Sequence, residues 1–169
     1  MPPPTNTFSY TPLDKHKREI RHLVLLKQGW RSKILPADDF VCNCRLEHAT
    51  FSISKGIKGY EALSYTWGRP NTHFPPPFIT LNGAKFEVRE NLSHALRYLT
   101  FNSKDRVLWI DVICINQDDT SEKSHQVQQM GDIYRMASQV VVWLGHSSAG
   151  TKRAFQFIKE HSSTYIKTL

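Results

Sequence analysis

The sequence predicts an α/β fold in which a mostly parallel sheet is flanked by helices, with an added β-hairpin and an N-terminal β extension. Two nearly continuous apolar runs, 106–115 and 139–145, are typical of strands buried on both faces of a parallel sheet. Helical periodicity precedes, separates and follows these runs, and such alternation implies right-handed crossovers within one sheet. Asn82-Gly83 lies between two alternating runs, which is a strong hairpin signal.

The length of 169 residues suits one domain with its own hydrophobic core. We predict an extended arm over residues 1–12, which hold four of the nine prolines, followed by a single domain over 13–169. Because the chain stops inside a helical pattern, we expect that it is a fragment of something longer. No apolar run approaches the roughly 18 residues that a transmembrane helix needs. Three cysteines and no signal-peptide core favour a reducing, cytoplasmic setting.

The N-terminal half is predicted to supply strands. Residues 19–27 are apolar and β-compatible, and short strands are expected near 40–45 and 50–53. Residues 60–67 form the next strand, which ends at Gly68. In the hairpin that follows, a type I′ turn requires positive φ at both Asn82 and Gly83.

The C-terminal half is predicted to alternate helices with strands. The first helix has Asn91 as its N-cap, and the strand 106–115 follows it. The second helix runs from about Thr120 to Ser138, and the last helix begins near Thr151 after the strand 139–145. The stripes that predict the first two helices comprise Leu92, Ala95, Leu96 and Leu99, and then Val127, Met130, Tyr134 and Ala137.

Three sequence blocks are long and distinctive: Tyr60-Glu61-Ala62-Leu63-Ser64-Tyr65-Thr66-Trp67-Gly68, Leu108-Trp109-Ile110-Asp111-Val112-Ile113-Cys114-Ile115-Asn116-Gln117 and Val142-Trp143-Leu144-Gly145. Together with shorter blocks, in order along nearly the whole chain, they resemble the pattern of fungal heterokaryon-incompatibility (HET) domains. Val112 and Lys123 depart from the residues usual in the family, alanine and arginine. The resemblance implies a cytoplasmic toxic effector that triggers programmed cell death in fungal non-self recognition and forms a homo-oligomer on activation.

HET domains are also remotely similar to TIR domains, which have a flavodoxin-like sheet and in many cases cleave NAD. The resemblance therefore implies NAD as a substrate and no bound cofactor. TIR NADases carry a glutamate on a later helix in a Trp-Cys-x-x-Glu context, which this sequence lacks; Glu160 is the only glutamate after the last strand. The alternative that the resemblance leaves open is a non-enzymatic TIR-like module that recruits signalling partners.

Polar and aromatic residues collect where three predicted strands end, and ligands of open α/β sheets bind outside the carboxyl ends of strands. Aromatic faces suit a nucleotide base, and polar groups suit its ribose. The absence of GxGxxG and Walker motifs excludes an ordinary Rossmann dehydrogenase or P-loop enzyme. The residues predicted to bind the nucleotide are Ser64, Tyr65, Trp67, Asn116, Gln117 and Trp143.

Two carboxylates are the catalytic candidates, each with a structural alternative. Asp111 either stabilises charge near a ribose or holds the following loop by accepting backbone amides. Glu122 either stabilises an oxocarbenium-like ribosyl cation or occupies the third helical position of a capping box, with Asp119 as N-cap. Similarly, the tryptophans either stack on a base or pack in the core.

No metal or nucleic-acid site is predicted. Cys42-x-Cys44 with His48 offers too few ligands for zinc. The net charge of +7 has no nucleic-acid motif beside it, so an ordinary solvated surface is the simpler interpretation.

Overall fold

Seven strands form one mixed sheet in the computed structural model, which describes residues 8–14, 16–28, 41–50, 59–70, 75–100, 103–146 and 149–161. The strand order is β5-β4-β2-β1-β6-β3-β7. The strands are β1 (Glu19–Leu25), β2 (Asn43–Thr50), β3 (Glu61–Tyr65), β4 (Phe78–Leu81), β5 (Ala84–Glu87), β6 (Arg106–Trp109) and β7 (Gln139–Trp143). The helices are α1 (Glu90–Leu99), α2 (Asp111–Cys114), α3 (Thr120–Met136) and α4 (Ala149–His161).

Three neighbouring strands, β6-β3-β7, run parallel to one another, and β2 and β4 form a further parallel pair. Ala62 of β3 pairs with Trp109 of β6 on one side and Val140 of β7 on the other, and both pairings are parallel. The α/β prediction, with these three strands as parallel neighbours, is confirmed. Their carboxyl ends therefore meet at one edge of the sheet, which is where the candidate site residues were expected.

The N-terminal β extension is confirmed, but it lies at the middle of the sheet. β1 pairs antiparallel with both β2 and β6. Its residues Ile20–Leu25 are all buried, because β2 and β6 flank the strand and its apolar side chains Ile20, Leu23 and Leu25 belong to the core. Residues 8–12 form no helix or strand and lead into this strand. Residues 1–7, 40 and 51–53, which the arm and strand predictions also included, lie outside the described residues.

The Asn82-Gly83 turn joins β4 and β5 as predicted. Asn82 has φ 50° and Gly83 has φ 82°, both in the left-handed region that glycine and asparagine tolerate best. Asn82 also fastens the hairpin to β2. Its backbone N–H donates to the Cys44 carbonyl at 3.0 Å, and its Oδ1 accepts from the Leu46 N–H at 2.9 Å.

The predicted strand 106–115 is wrong beyond Trp109. The chain turns after Ile110, whose carbonyl accepts from the N–H groups of Ile113 and Cys114, and α2 follows. Asp111 and Cys114 therefore lie in a helical turn and not in a strand. An apolar run in the sequence does not distinguish a buried strand from a buried helical turn. Here the turn keeps Ile113–Ile115 buried, as a strand would.

The helices differ from their predictions at their ends and faces. The N-cap of α1 is Arg89 rather than Asn91, and α4 begins at Ala149. Asp119 is the N-cap of α3 as predicted, but the helix stops at Met136. The expected stripe is wrong at Val127, which is 51% exposed. The buried residues of α3 are Glu122, Gln126, Gln129 and Ile133. Met130, Tyr134 and Ala137 of the expected stripe are partly buried and pack against the core. Because three of the four buried residues are polar, hydrophobic periodicity did not identify them.

No helix among the described residues is long and apolar enough to cross a membrane.

Candidate functional site

Trp67 and Asp111 meet where β3 and β6 end. The Trp67 indole Nε1 donates to Asp111 Oδ2 at 3.2 Å, and the Val112 N–H donates to Asp111 Oδ1 at 2.7 Å. Trp67 is 37% exposed, and Asp111 is half-buried. The pair therefore presents an aromatic surface and an oriented carboxylate at the open edge of the sheet.

The Asp111 carboxylate lies among partners that do not neutralise it. Burial raises its pKa above the ordinary value, while the hydrogen bonds from Val112 and Trp67 act in the opposite direction. Within the part of the chain that the structure describes, no cation forms an ion pair with it. Burial, followed by the negative charge of Asp111, raises the pKa of the phenols of Tyr65 and Tyr134. A partly desolvated carboxylate beside aromatic rings can favour a positive charge that develops nearby.

Arg89 joins this group, and sequence reasoning missed it. Its NH1 donates to the Gly68 carbonyl at 3.0 Å, and its guanidinium carbon lies 5.6 Å from the centre of the Trp67 ring. Arg89 follows β5 and has no motif or spacing that links it to Trp67, so only the tertiary structure could reveal the contact. Tyr65, Trp67, Arg89 and Asp111 are called the open cluster below.

Trp143 lies at the same edge of the sheet, where its contacts are structural. Its indole Nε1 donates to Asn91 Oδ1 at 2.9 Å, and Asn91 Nδ2 donates to the Thr66 carbonyl at 2.5 Å. Its ring packs against Tyr98 at 5.5 Å between centroids. Trp143 and Asn91 thus join the ends of β7, β3 and α1. Ser64 is a half-buried residue of β3 opposite Val142 in this register.

Asn116 and Gln117 shape the loop beside the open cluster. Gln117 Nε2 donates to the carbonyls of Asp111 at 3.1 Å and Ile115 at 3.3 Å, so it fixes the turn that carries the carboxylate. Asn116 Oδ1 accepts from the Asp118 N–H at 3.2 Å. Both side chains are half-buried and lie close in sequence to Asp111.

Glu122 lies in a second cluster that is closed to solvent. Arg21 NH1 and NH2 donate to its two carboxylate oxygens at 2.7 and 2.9 Å, and the Asn116 N–H donates to Oε1 at 2.7 Å. Arg21 is 1% exposed and Glu122 is 3% exposed. The N-cap half of the predicted capping box is present, because Asp119 Oδ1 accepts from the N–H groups of Ser121 and Glu122. The Glu122 side chain is used to hold Arg21.

The N-terminal segment completes this closed cluster. Arg21 NH2 donates to the Thr11 carbonyl at 2.6 Å, and its NH1 donates to the Cys114 carbonyl at 3.1 Å. The Tyr10 hydroxyl donates to the Ile113 carbonyl at 2.9 Å, and the Tyr10 ring lies 4.9 Å from the Arg21 guanidinium. Tyr10, Arg21 and Glu122 thus tie β1, the N-terminal segment, α2 and α3 together. They are called the closed cluster below.

Cys114 and Glu160 are two further residues with reactive side chains that are not part of the open cluster. Burial raises the pKa of the Cys114 thiol to about 12, so it holds its proton at neutral pH. Glu160 is exposed on α4, where its Oε1 accepts from Gln156 Nε2 at 3.0 Å. Among the described residues, no group of three or more histidine, cysteine, aspartate or glutamate side chains could hold a metal ion.

Comparison with known proteins identifies a family and a relative. The family described as heterokaryon incompatibility protein (HET) matches residues 60–168. The chain is also 38% identical over 117 residues to a protein of Neurospora crassa named heterokaryon incompatibility protein 6, OR allele. That match covers 63% of this chain but only 17% of the Neurospora protein. No solved structure matches the chain.

Proposed function

The chain belongs to the heterokaryon incompatibility (HET) family, and from that premise we propose that it is a toxic effector domain that triggers programmed cell death in fungal heterokaryon incompatibility by hydrolysing NAD. The name of the Neurospora relative supports the biological role. The observation that carries the chemistry is the half-buried Asp111 carboxylate, oriented by Trp67 at the carboxyl ends of three parallel strands. We place the reaction in the cytoplasm and require no bound cofactor for it.

The proposed reaction breaks the bond between the nicotinamide nitrogen and C1′ of the ribose. The bonding electron pair leaves with nicotinamide, which departs neutral, and C1′ becomes part of an oxocarbenium-like cation. A water oxygen then adds to C1′ and loses its proton, which gives ADP-ribose. The Asp111 carboxylate stabilises the developing positive charge, as carboxylates do in glycoside hydrolysis. The Val112 and Trp67 N–H groups hold this carboxylate in one orientation before the reaction.

The remaining predicted residues have supporting roles in this proposal. The exposed part of Trp67 offers a stacking surface, and the half-buried polar groups of Ser64, Tyr65, Asn116 and Gln117 lie on the segments that surround the ribose position. Trp143 maintains the strand ends through Asn91. Glu122, the other predicted catalytic residue, would reach a substrate only if its bidentate contact with Arg21 were broken. Asp111 is therefore the better supported carboxylate.

Purified domain at high concentration, incubated with NAD, tests the proposal by release of nicotinamide. Asp111→Asn should abolish release, because asparagine keeps the shape but lacks the negative charge. Asp118→Asn is the matched control, since Asp118 is exposed on the same loop and the variant makes the same change of charge. Full activity of Asp111→Asn would contradict the role of Asp111, and a wild-type chain that releases no nicotinamide would contradict NAD hydrolysis.

A non-enzymatic recruitment module is the second candidate, and one observation favours it. β7 is an edge strand of the sheet and exposes Val140 and Val142, and Leu144, which directly follows the strand, is exposed as well. Exposed apolar groups on a terminal strand are suited to association with another chain. In fungal cells that express the domain, death with an unchanged NAD concentration would favour this candidate. Loss of NAD before death would favour the enzyme.

A further inference from the structure

Arg89 differs from five other arginines of the described residues. Arg18, Arg21, Arg45, Arg106 and Arg135 each pair with a carboxylate. For Arg89, by contrast, the described residues supply one carbonyl contact, to Gly68, and the aromatic ring of Trp67. A guanidinium has five N–H donors, so most of those on Arg89 are not used by these contacts. It is also half-buried, where an unpaired charge is less well solvated than at the surface.

The position of Arg89 relative to Asp111 indicates which ligand its positive charge could bind. Trp67 contacts both side chains, with Asp111 at the indole N–H and Arg89 over the ring. The open cluster therefore presents a cation over the face of one aromatic residue and an anion at its N–H edge. A nucleotide has a matching arrangement, with an aromatic base, a ribose whose C1′ becomes positive during glycosidic cleavage, and an anionic phosphate.

We infer that Arg89 binds the phosphate of the substrate and makes the site selective for nucleotides over nucleosides. This inference rests on the proposed function, because it assigns the substrate class of the same site. The planar guanidinium donates two parallel hydrogen bonds to phosphate oxygens, which lysine cannot reproduce. The Gly68 carbonyl and the Trp67 ring hold the guanidinium in place before the ligand arrives. Arg89 is thus a binding residue for phosphate, and Asp111 acts on the ribose.

Calorimetric titration of the full chain with NAD, nicotinamide riboside and inorganic pyrophosphate tests the inference. Wild type should bind NAD more tightly than the riboside, and Arg89→Gln should weaken NAD binding by about tenfold or more. Its affinity for the riboside should stay unchanged, which shows that the pocket around Trp67 is intact. Arg89→Lys should recover only part of the affinity for NAD. Arg45→Gln is the matched control, because Arg45 is an exposed arginine of β2 and the charge change is the same.

Other results would contradict either the role of Arg89 or the proposed NAD hydrolysis. Unchanged NAD affinity in Arg89→Gln, or an equal loss for NAD and the riboside, overturns the role of Arg89 in phosphate binding. If wild type binds pyrophosphate through Arg89 but does not bind NAD, the anion site stands and the proposed NAD hydrolysis falls. If wild type binds neither ligand, both fall.

Discussion

The two clusters place a carboxylate in contrasting surroundings within one domain. In the closed cluster, both oxygens of Glu122 accept from a buried arginine, and one also accepts from a backbone N–H. In the open cluster, Asp111 accepts from one indole and one backbone N–H, and it remains half-buried without an ion-pair partner among the described residues. The first arrangement holds four segments of the chain together, and the second leaves a carboxylate accessible to a ligand.

The contrast shows that the residue type alone does not reveal which acidic residue of a family motif is catalytic and which is structural. A buried ion pair is strongly destabilised when one partner is removed, because the other charge remains buried and unpaired. A carboxylate held by neutral donors leaves no unpaired charge behind when it is replaced by an amide. The two clusters should therefore respond oppositely to the same substitution, with a large loss of stability in one and a loss of activity in the other.

The largest effect on stability is expected from Glu122→Gln. It leaves the Arg21 charge buried without a carboxylate, which should lower the free energy of unfolding by about 3–5 kcal/mol. Chemical denaturation of wild type and variant measures the difference. The double variant Arg21→Met with Glu122→Leu is the control, since replacing both charges by apolar side chains should recover much of the lost stability. A Glu122→Gln variant with wild-type stability and no activity would instead restore Glu122 as the catalytic residue.

A smaller effect is expected from Tyr10→Phe. The variant loses the hydroxyl that donates to the Ile113 carbonyl but keeps the ring beside Arg21. One hydrogen bond of this kind contributes about 1 kcal/mol to stability. The same denaturation experiment measures it, and activity per folded molecule should not change. An equal loss from Tyr98→Phe, whose exposed ring lies outside the closed cluster, would indicate that the Tyr10 bond is not the cause.

Asp111→Asn should have the least effect on stability although it removes the proposed reaction. Asparagine has one acceptor oxygen, which can keep the bond from the Val112 N–H, while the partly exposed Trp67 indole can donate to water instead. The free energy of unfolding should therefore change by about 1 kcal/mol or less. Thermal unfolding of the Asp111→Asn and Glu122→Gln variants, each compared with wild type, measures the difference in stability between them. A large loss of stability in Asp111→Asn would place Asp111 among the structural carboxylates and weaken its catalytic assignment.

Acid pH should change the stability and the activity of the domain in opposite directions through Asp111. Burial raises the pKa of this carboxyl above its ordinary value of 3.8, so the folded chain holds the proton to a higher pH than the unfolded chain. The resulting stabilisation is present below 3.8 and is lost as pH rises through the folded-state pKa. Activity should change in the opposite direction and fall as the carboxylate is protonated. Melting temperatures of wild type and Asp111→Asn across the acid range measure the effect on stability. If the difference between the two melting temperatures is constant with pH, the expected stabilisation by protonated Asp111 is contradicted.

The candidate site could be predicted in part, because parallel strands bring their carboxyl ends together. From the sequence alone, that rule places Tyr65, Trp67 and Asp111 at one edge of the sheet. It could not supply Arg89, which reaches Trp67 from outside the parallel strands. It also could not show that Glu122 lies against Arg21, since 101 residues separate the pair in the chain.

The sequence by itself determined the α/β class, the three parallel strands, the Asn82-Gly83 turn and the Asp119 N-cap. These features depend on local periodicity, on backbone conformations that few residues tolerate, and on side chains that bond to nearby N–H groups. Only the tertiary structure decided that β1 lies at the centre of the sheet, that the apolar run 106–115 turns after Ile110, and which carboxylate stays open. These outcomes depend on contacts between segments distant in the chain, and no local pattern records which buried charge will find a partner.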